Sequence, residues 1–337
     1  MPRPDFPRNL NELLRMFPDD RAAFDYIVAS RYHGEFVCPK CDVRAGGFVR
    51  ADRLAVQCRN RACQSLTSAT AGTAMHRSKV SPRKWLLAAW LVVTDKRGIS
   101  SVQLANQLGV HQETAYMMLH KLRAAMVAPE RTQLRGRVEA DESFINTIPQ
   151  KPLVAGAVEV RDGKDRKGRP VTYLGRIRLR HVGSRDAEEL VTFIVENVEE
   201  GSTVVTDAFV SYNDLRIGGY EHLIESTSRG MRQDDVLRHY HLAISNLKAY
   251  LAGTYHGAVE LKHLQAYLNE YTFRFNRKRN LPAAFQTLLG IASRVEGPEY
   301  DEIYADESDD EAWVHPNPRR DVERAPLLAA QLRRRRR

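Results

Sequence analysis

The chain has 337 residues, of which 43% are hydrophobic, with four cysteines and a formal net charge of +9. That length supports two or three domains with a sizeable core. Its longest apolar stretch, around Trp85 to Val93, falls far short of the roughly 20 residues of a bilayer helix, which argues against a membrane protein. Nor is there an apolar signal core near the start, so a cytoplasmic, nucleoid-associated location with no membrane partner is expected.

The basic excess is larger than the net charge suggests. Eight acids fall between Glu299 and Glu311 in a stretch without Lys or Arg, and setting them aside leaves +17. A body this basic favours a polyanionic partner, because neutralising phosphates releases condensed counterions. Double-stranded DNA is the natural candidate. The sequence has no Gly-rich nucleotide-binding loop and no convincing Ser/His/Asp arrangement, so neither an ATP-driven step nor serine hydrolysis is indicated.

In chain order, residues 9–31 read as helical, with Leu10, Leu13, Leu14, Phe17, Phe24, Ile27 and Val28 at helical spacing. The four cysteines follow as two close pairs, Cys38/Cys41 and Cys58/Cys63. Short loops between paired thiolates let two of them reach one metal from a single turn, and four close a tetrahedral, structural Zn2+ site. The second pair is wider than the usual two-residue gap. Unlinked thiols or two disulfides are the alternative. Gly46-Gly47 separates short apolar runs that suit the hairpins of a zinc ribbon.

Pro82 to Thr94 is helical again. Ser100 then caps a helix with Val102, Leu104, Ala105 and Leu108, Gly109-Val110 makes a turn, and Gln112 to Ala124 forms a second helix. This layout reads as a helix-turn-helix. Gln112, Tyr116, His120 and Arg123 are its DNA-facing candidates, together with His111 and Glu113. A plain helical pair is the alternative.

After Arg137 the period shortens. Val138–Ile145, Val154–Val160, Val171–Val182 and Ser202–Ala208 read as strands, Asp186–Val198 as a crossover helix, and helices resume from Asp235 to about Leu289. This predicts a mixed α/β core. The tail from residue 291, acidic and then Arg-rich at Arg333–Arg337, reads as disordered. The expected domains are 1–78 (helix and ribbon), 79–130 (helix-turn-helix), 131–290 (catalytic core) and 291–337 (tail).

Two aspartates interrupt strand-forming runs: Asp141 in Val-Glu-Ala-Asp-Glu, and Asp207 in Val-Val-Thr-Asp-Ala. Asp is depleted in strands, and two carboxylates on adjacent strands can share hard divalent cations. Glu142 is expected on the opposite face of its strand from Asp141. A surface position or strand-end cap is the alternative for either aspartate.

These segments, with Gly219–His222, Gly253–His256 and Tyr271–Arg277, together resemble bacterial insertion-sequence transposases of the DDE superfamily, in the zinc-ribbon, ISXO-like group. The resemblance implies an RNase H-like core preceded by the ribbon and helix-turn-helix. It also implies metal-dependent DNA cleavage and strand transfer with Mg2+ or Mn2+, and homo-oligomers assembled on DNA. Asp141 and Asp207 take the metal-ligand roles by motif match.

The third position departs from the family's Glu or Asn, since it falls on His241, seven residues before Lys248. Seven steps return nearly to the same helix face, so both can point at one site. Imidazole suits Mn2+ or Zn2+ better than Mg2+. His239 is the competing assignment, with Asp234 and Asp235 as carboxylate rivals. Arg277 is a further DNA-contact candidate, and His256, Arg274 and Asn276 are candidate DNA or core contacts. The alternative function is a DNA-binding regulator derived from a transposase whose catalysis has been lost.

Overall fold

The computed structural model describes residues 5–305, apart from 33–34, 45, 129–130, 228–231 and 233–234. Of these, 5–126 and 277–305 form one compact unit and 127–276 a second.

The first unit begins with α1 (Leu10–Met16), capped by the Asn9 side chain accepting from Glu12 N at 2.9 Å, and α2 (Asp20–Tyr32). A three-stranded antiparallel ribbon follows, with β1 (Gly47–Arg50), β2 (Ala55–Cys58) and β3 (Leu66–Ser68) in that order. Next come α3 (Pro82–Thr94), with Pro in its first turn where the missing N–H does no harm, and α4 (Ser101–Leu108). The Ser100 side chain accepts from Gln103 N at 3.2 Å to cap α4. Gly109 at φ 59° ends α4 in the left-handed conformation, and α5 (Gln112–Ala124) begins three residues later.

The second unit is built on a five-stranded sheet of β4 (Arg137–Phe144), β5 (Leu153–Lys164), β6 (Pro170–Val182), β7 (Thr203–Thr206) and β8 (Glu221–Ile224). Their order is β6-β5-β4-β7-β8. β4, β5 and β6 form an antiparallel meander, whereas β7 and β8 add in parallel on the other side of β4. The crossover helix α6 (Ala187–Asn197) joins β6 to β7, and α7 (Arg238–Tyr255) and α8 (Leu264–Arg277) follow β8. This is the RNase H-like mixed sheet that the resemblance implies. β8 is an element the sequence reading did not assign.

Strand alternation divides the core in two. Val138 and Ala140 of β4 pack with Leu190, Ile194, Tyr212 and Leu215 on the α6 face. Val154, Val158 and Val205 pack with Tyr240, Ile244, Leu247 and Leu251 on the α7 face. The free edge of β6 is covered by α8: Asn276 Oδ1 accepts from Ile177 N at 2.8 Å and its Nδ2 donates to Ile177 O at 3.1 Å, while Gln265 Oε1 accepts from His181 N at 3.0 Å. Side-chain amides thereby replace the ladder that an exposed edge would offer to another chain. Asn276 is thus a core contact.

The chain then returns to the first unit with α9 (Leu281–Ala292) and α10 (Tyr300–Tyr304). Residues 281–290, assigned by sequence to the catalytic core, pack instead on the N-terminal helices, where the Phe285 ring lies 5.7 Å from Trp90 and 6.3 Å from Tyr26. The start of the acidic tail is also more ordered than its composition suggests. Glu299 and Glu302 form a reciprocal capping box around α10, and Ile303 is buried. Local capping and one apolar anchor override the charge. Residues 306–337, including Arg333–Arg337, lie outside the described residues.

Candidate metal centres and catalytic site

The four cysteine sulfurs converge, all lying within 4.8 Å of one another. Cys38 Sγ to Cys63 Sγ and Cys41 Sγ to Cys58 Sγ are each 3.8 Å. A tetrahedron with Zn–S bonds of ~2.3 Å has edges of about 3.8 Å, so the quartet fits Zn2+. That spacing is far longer than a disulfide bond, and all four thiols are free. Asn60 N donates to Cys58 Sγ at 3.4 Å, and the Ser65 hydroxyl lies 3.2 Å from both Cys38 and Cys63. Donors around the sulfurs stabilise thiolate and fix its orientation. Each knuckle supplies one member to each close sulfur pair, so the wider second gap does not prevent closure.

In the second unit, Asp141 lies within β4 and Asp207 immediately follows β7, its parallel neighbour. Both carboxylates therefore belong to the middle of the sheet. The Asp207 carboxylate accepts from Phe209 N at 2.9 Å, which turns the chain out of the strand. Burial first, and then the charges of Glu142 and Asp207, push the Asp141 carboxyl up to about 7. Carboxylates crowded in this way favour either a shared proton or a divalent cation. The oxygen-only pair fits Mg2+ or Mn2+.

Glu142 points to the other face, where Tyr212 Oη donates to it at 2.7 Å and Arg185 Nε at 2.6 Å. The Glu142 side chain is fully buried, but Arg185 is 46% exposed. The guanidinium also stacks 4.3 Å over the Phe209 ring and interacts with Asp141 and Asp207. A cation is thereby held where it acts on the charges of the two aspartates while part of it stays exposed. Sequence reasoning missed Arg185, which carries no local signal for this role.

The face of β4 bearing Asp141 also carries Glu139 and Ser143, two residues away on either side. Glu139 is buried and accepts from His239 N at 2.8 Å and Tyr240 N at 2.9 Å, and its other oxygen lies 2.7 Å from His239 Nδ1. It therefore supplies the N-terminal cap that the α7 cap residue, Leu237, lacks. Tyr240 Oη bonds the Ser143 hydroxyl at 3.0 Å. Opposite Asp141 in the ladder is Gly156, where a Cβ would come within 2.8 Å of the Tyr240 ring. A glycine is required there to seat α7 over the aspartate. The period-2 pairing of Glu139 with Asp141 was the available sequence signal for Glu139.

His239, the rival third ligand, is thus committed to Glu139. That contact raises its pKa above the ordinary value, outweighing the desolvation that lowers it. His241 is exposed, with its ring 5.5 Å from that of Tyr240, and Lys248 is half-buried two turns along. Among the described residues, the cysteines are the only His, Cys, Asp or Glu group whose donor atoms converge tightly enough for a metal, so His241 does not close such a cluster with Asp141 and Asp207. Asp235 follows the fold into the turn before α7, and Asp234 lies outside the described residues.

Of the DNA-facing candidates in α5, Gln112 is exposed and Tyr116 half-exposed. His120 and Arg123 are buried, at 0% and 1% exposure, and contact each other at 3.4 Å. The periodicity reading placed these two outside, but the C-terminal half of α5 is enclosed on all sides within the first unit. Arg277, at the end of α8, is half-buried, and desolvation lowers its pKa.

The mixed sheet with a four-cysteine zinc-ribbon site ahead of it defines the class of zinc-ribbon proteins with an RNase H-like core. Residues 133–276 match the family described as the ISXO2-like transposase domain, and residues 18–65 match the transposase zinc-ribbon domain. Both matches are to domains of the IS1595 group of insertion-sequence transposases, and together they support a transposase of that kind. It is also similar to an uncharacterized protein in transposable element ISH50 of Halobacterium salinarum, 28% identical over 134 residues, or 39% of this chain. The chain spans less than half of that relative's length, 44%.

Proposed function

We propose that the chain is a DNA transposase that binds the ends of its element through the ribbon and the α4–α5 pair, and cuts and joins strands at Asp141 and Asp207. The observation that carries this reading is the register of β4 with its parallel neighbour β7, Glu139 opposite Val205, which brings half-buried Asp141 and Asp207 to neighbouring positions within the matched transposase domain, where their charges interact. Two carboxylates placed so close to one another are poorly suited to stability and well suited to a hard cation. When bound there, Mg2+ or Mn2+ supplies Lewis-acid activation of the attacking hydroxyl and stabilises the leaving oxygen.

In this reading, Asp141 and Asp207 present their oxygens from adjacent strands. Glu142 and Tyr212 hold Arg185 so that its open side meets the scissile phosphate. Glu139 fixes the start of α7, which sets where His241 and Lys248 stand along the approaching strand. Lys248 contacts a DNA phosphate, and His241 contributes a ligand or a phosphate contact after DNA enters. Gln112, on the exposed start of α5, reads the element end. The protein supplies position and charge rather than a covalent intermediate.

A second reading is favoured by one observation, the failure of His241 to converge with the aspartates. In it the chain is a DNA-binding regulator that has lost catalysis. Labelled duplex from the element ends, incubated with Mg2+ or Mn2+, distinguishes the two. Nicking by wild type that is absent in Asp207→Asn supports the transposase; retardation without nicking under either metal supports the regulator.

A further inference from the structure

Within the first unit a groove of about 750 Å³ runs beside α5, with Arg77, Lys79, Lys84 and Lys121 in its lining and Glu299 and Asp301 on its wall. We propose that this groove is a binding surface for the phosphate backbone of duplex DNA, and that α10, which forms one of its walls, is an acidic cover that DNA displaces. The inference rests on the DNA-binding reading above and assigns to it a surface that the α5 side chains alone do not provide.

The four cations come from the segment before α3, from α3 itself and from α5, but the acids facing them come from a segment far later in the chain, Glu299 standing 222 residues after Arg77. Arg77 pairs with Glu299. Its backbone is held at φ 52°, a left-handed conformation that a non-glycine residue adopts only under local constraint. Lys121 is buried, with its ammonium donating to His76 O at 3.1 Å, and Glu299 and Glu302 are the acids whose charges act on it. A buried ammonium with one neutral acceptor needs an anion close by, and here the anion is carried by α10.

That acidic wall is built to be removable. α10 has five residues, too few for a helix that stands alone. It is held by its capping box, by buried Ile303 and by Tyr304, whose ring lies 6.1 Å from Tyr116 on α5. Such an element opens at lower free energy than the core beneath it. The location also fits a backbone contact. Gly109, Val110 and His111 form part of the groove lining, so it adjoins the exposed N-terminal end of α5, the part of a recognition helix that meets base edges while flanking groups hold phosphate. Carboxylates at the sites phosphates would take mimic the ligand. Five more acids follow in the sequence between Asp306 and Glu311.

The test uses the full chain and a short labelled duplex of arbitrary sequence, with affinity read by fluorescence anisotropy across a salt series. The variant Glu299→Gln/Asp301→Asn/Glu302→Gln should bind about tenfold tighter at ~0.1 M salt for each phosphate contact it unmasks, with a steeper salt dependence. Ile303→Ser, which keeps every charge but removes the anchor, should change affinity in the same direction. Adding Arg77→Gln to the triple variant should reverse part of the gain and flatten the salt slope by about one. Unchanged affinity in both the triple variant and Ile303→Ser overturns the proposal while leaving DNA binding intact. If neither wild type nor any variant binds the duplex at low salt, the DNA-binding reading itself fails, and this proposal with it.

Discussion

Replacing Asp141 by Asn removes one carboxylate from the crowded pair and should stabilise the magnesium-free protein. The Asp141 carboxyl is pushed up to about 7 in the fold, first by burial and then by Glu142 and Asp207, against an ordinary value near 4. Below pH ~4 the group is protonated folded and unfolded alike, and wild type and variant should match. Between about pH 4 and 7 the unfolded chain ionises and the folded chain does not, so wild type loses stability by about 1.4 kcal/mol per pH unit. Above pH ~7 both states are ionised and the deficit levels off. The full window gives a ceiling of about 4 kcal/mol, and partial solvent access to Asp141 lowers the expectation to about 2–3 kcal/mol. For a unit of this size that is an increase of roughly 5–10 °C in Tm at pH 8. Thermal unfolding of zinc-loaded protein followed by circular dichroism, at pH 4.5, 6 and 8, measures it. Adding Mg2+ should then raise the Tm of wild type and leave Asp141→Asn unchanged, since binding stabilises only the state that holds the ligand. An Asn variant no more stable than wild type at pH 8 would refute the crowding argument, and so would a gain that does not grow with pH.

Chelating zinc, or replacing Cys58 with Ser, should unfold the ribbon around β1 to β3, because its small core depends on the metal; hydrogen exchange should show protection lost there and retained in β4 to β7. Gly257→Ala should destabilise the second unit by about 2 kcal/mol or more, since this glycine sits at φ 74° and an added Cβ would fall 2.3 Å from Thr147 O; urea denaturation measures it, and a neutral result would mean the α7 terminus is not held as described. His239→Gln should be more destabilising at pH 5.5 than at pH 9. The raised pKa of His239 means that its ion pair with Glu139 contributes fully below about pH 6.5 and is lost as pH rises through the folded value; equal losses at both pH values would count against the pair.

The parts of the site legible in the sequence were those whose chemistry is local. Paired cysteines declare a metal by spacing alone, and the structure closes them across knuckles, Cys38 with Cys63 and Cys41 with Cys58. Asp141 and Asp207 stood out because carboxylates interrupt strand-forming runs, and the strands around them fall close to the expected positions. What was not legible depends on partners distant in the chain. Arg185 gains its place from Glu142 and Tyr212, and nothing in its own neighbourhood announces that. His120 and Arg123 lie on a helix whose periodicity leaves them outward, yet burial there is decided by the packing of the whole first unit. β8 alternates Glu221, His222, Leu223 and Ile224, too short and too polar to read as a strand without β7 beside it. α10 was hidden by its own acidity, although the capping pair Glu299 and Glu302 was visible at the spacing such a box requires.

The account turns on whether Asp141 and Asp207 perform phosphodiester chemistry. The most direct measurement is a strand-transfer assay with labelled duplex carrying the sequences that flank the gene, incubated with Mg2+ and separately with Mn2+, comparing wild type with Asp141→Ala, Asp207→Ala and His241→Ala. The account predicts cleaved and joined products from wild type, none from either aspartate variant, and from His241→Ala a loss that is greater with Mn2+ than with Mg2+. Wild type that binds the duplex yet yields neither product with either metal would contradict it, as would joining that survives the loss of either aspartate.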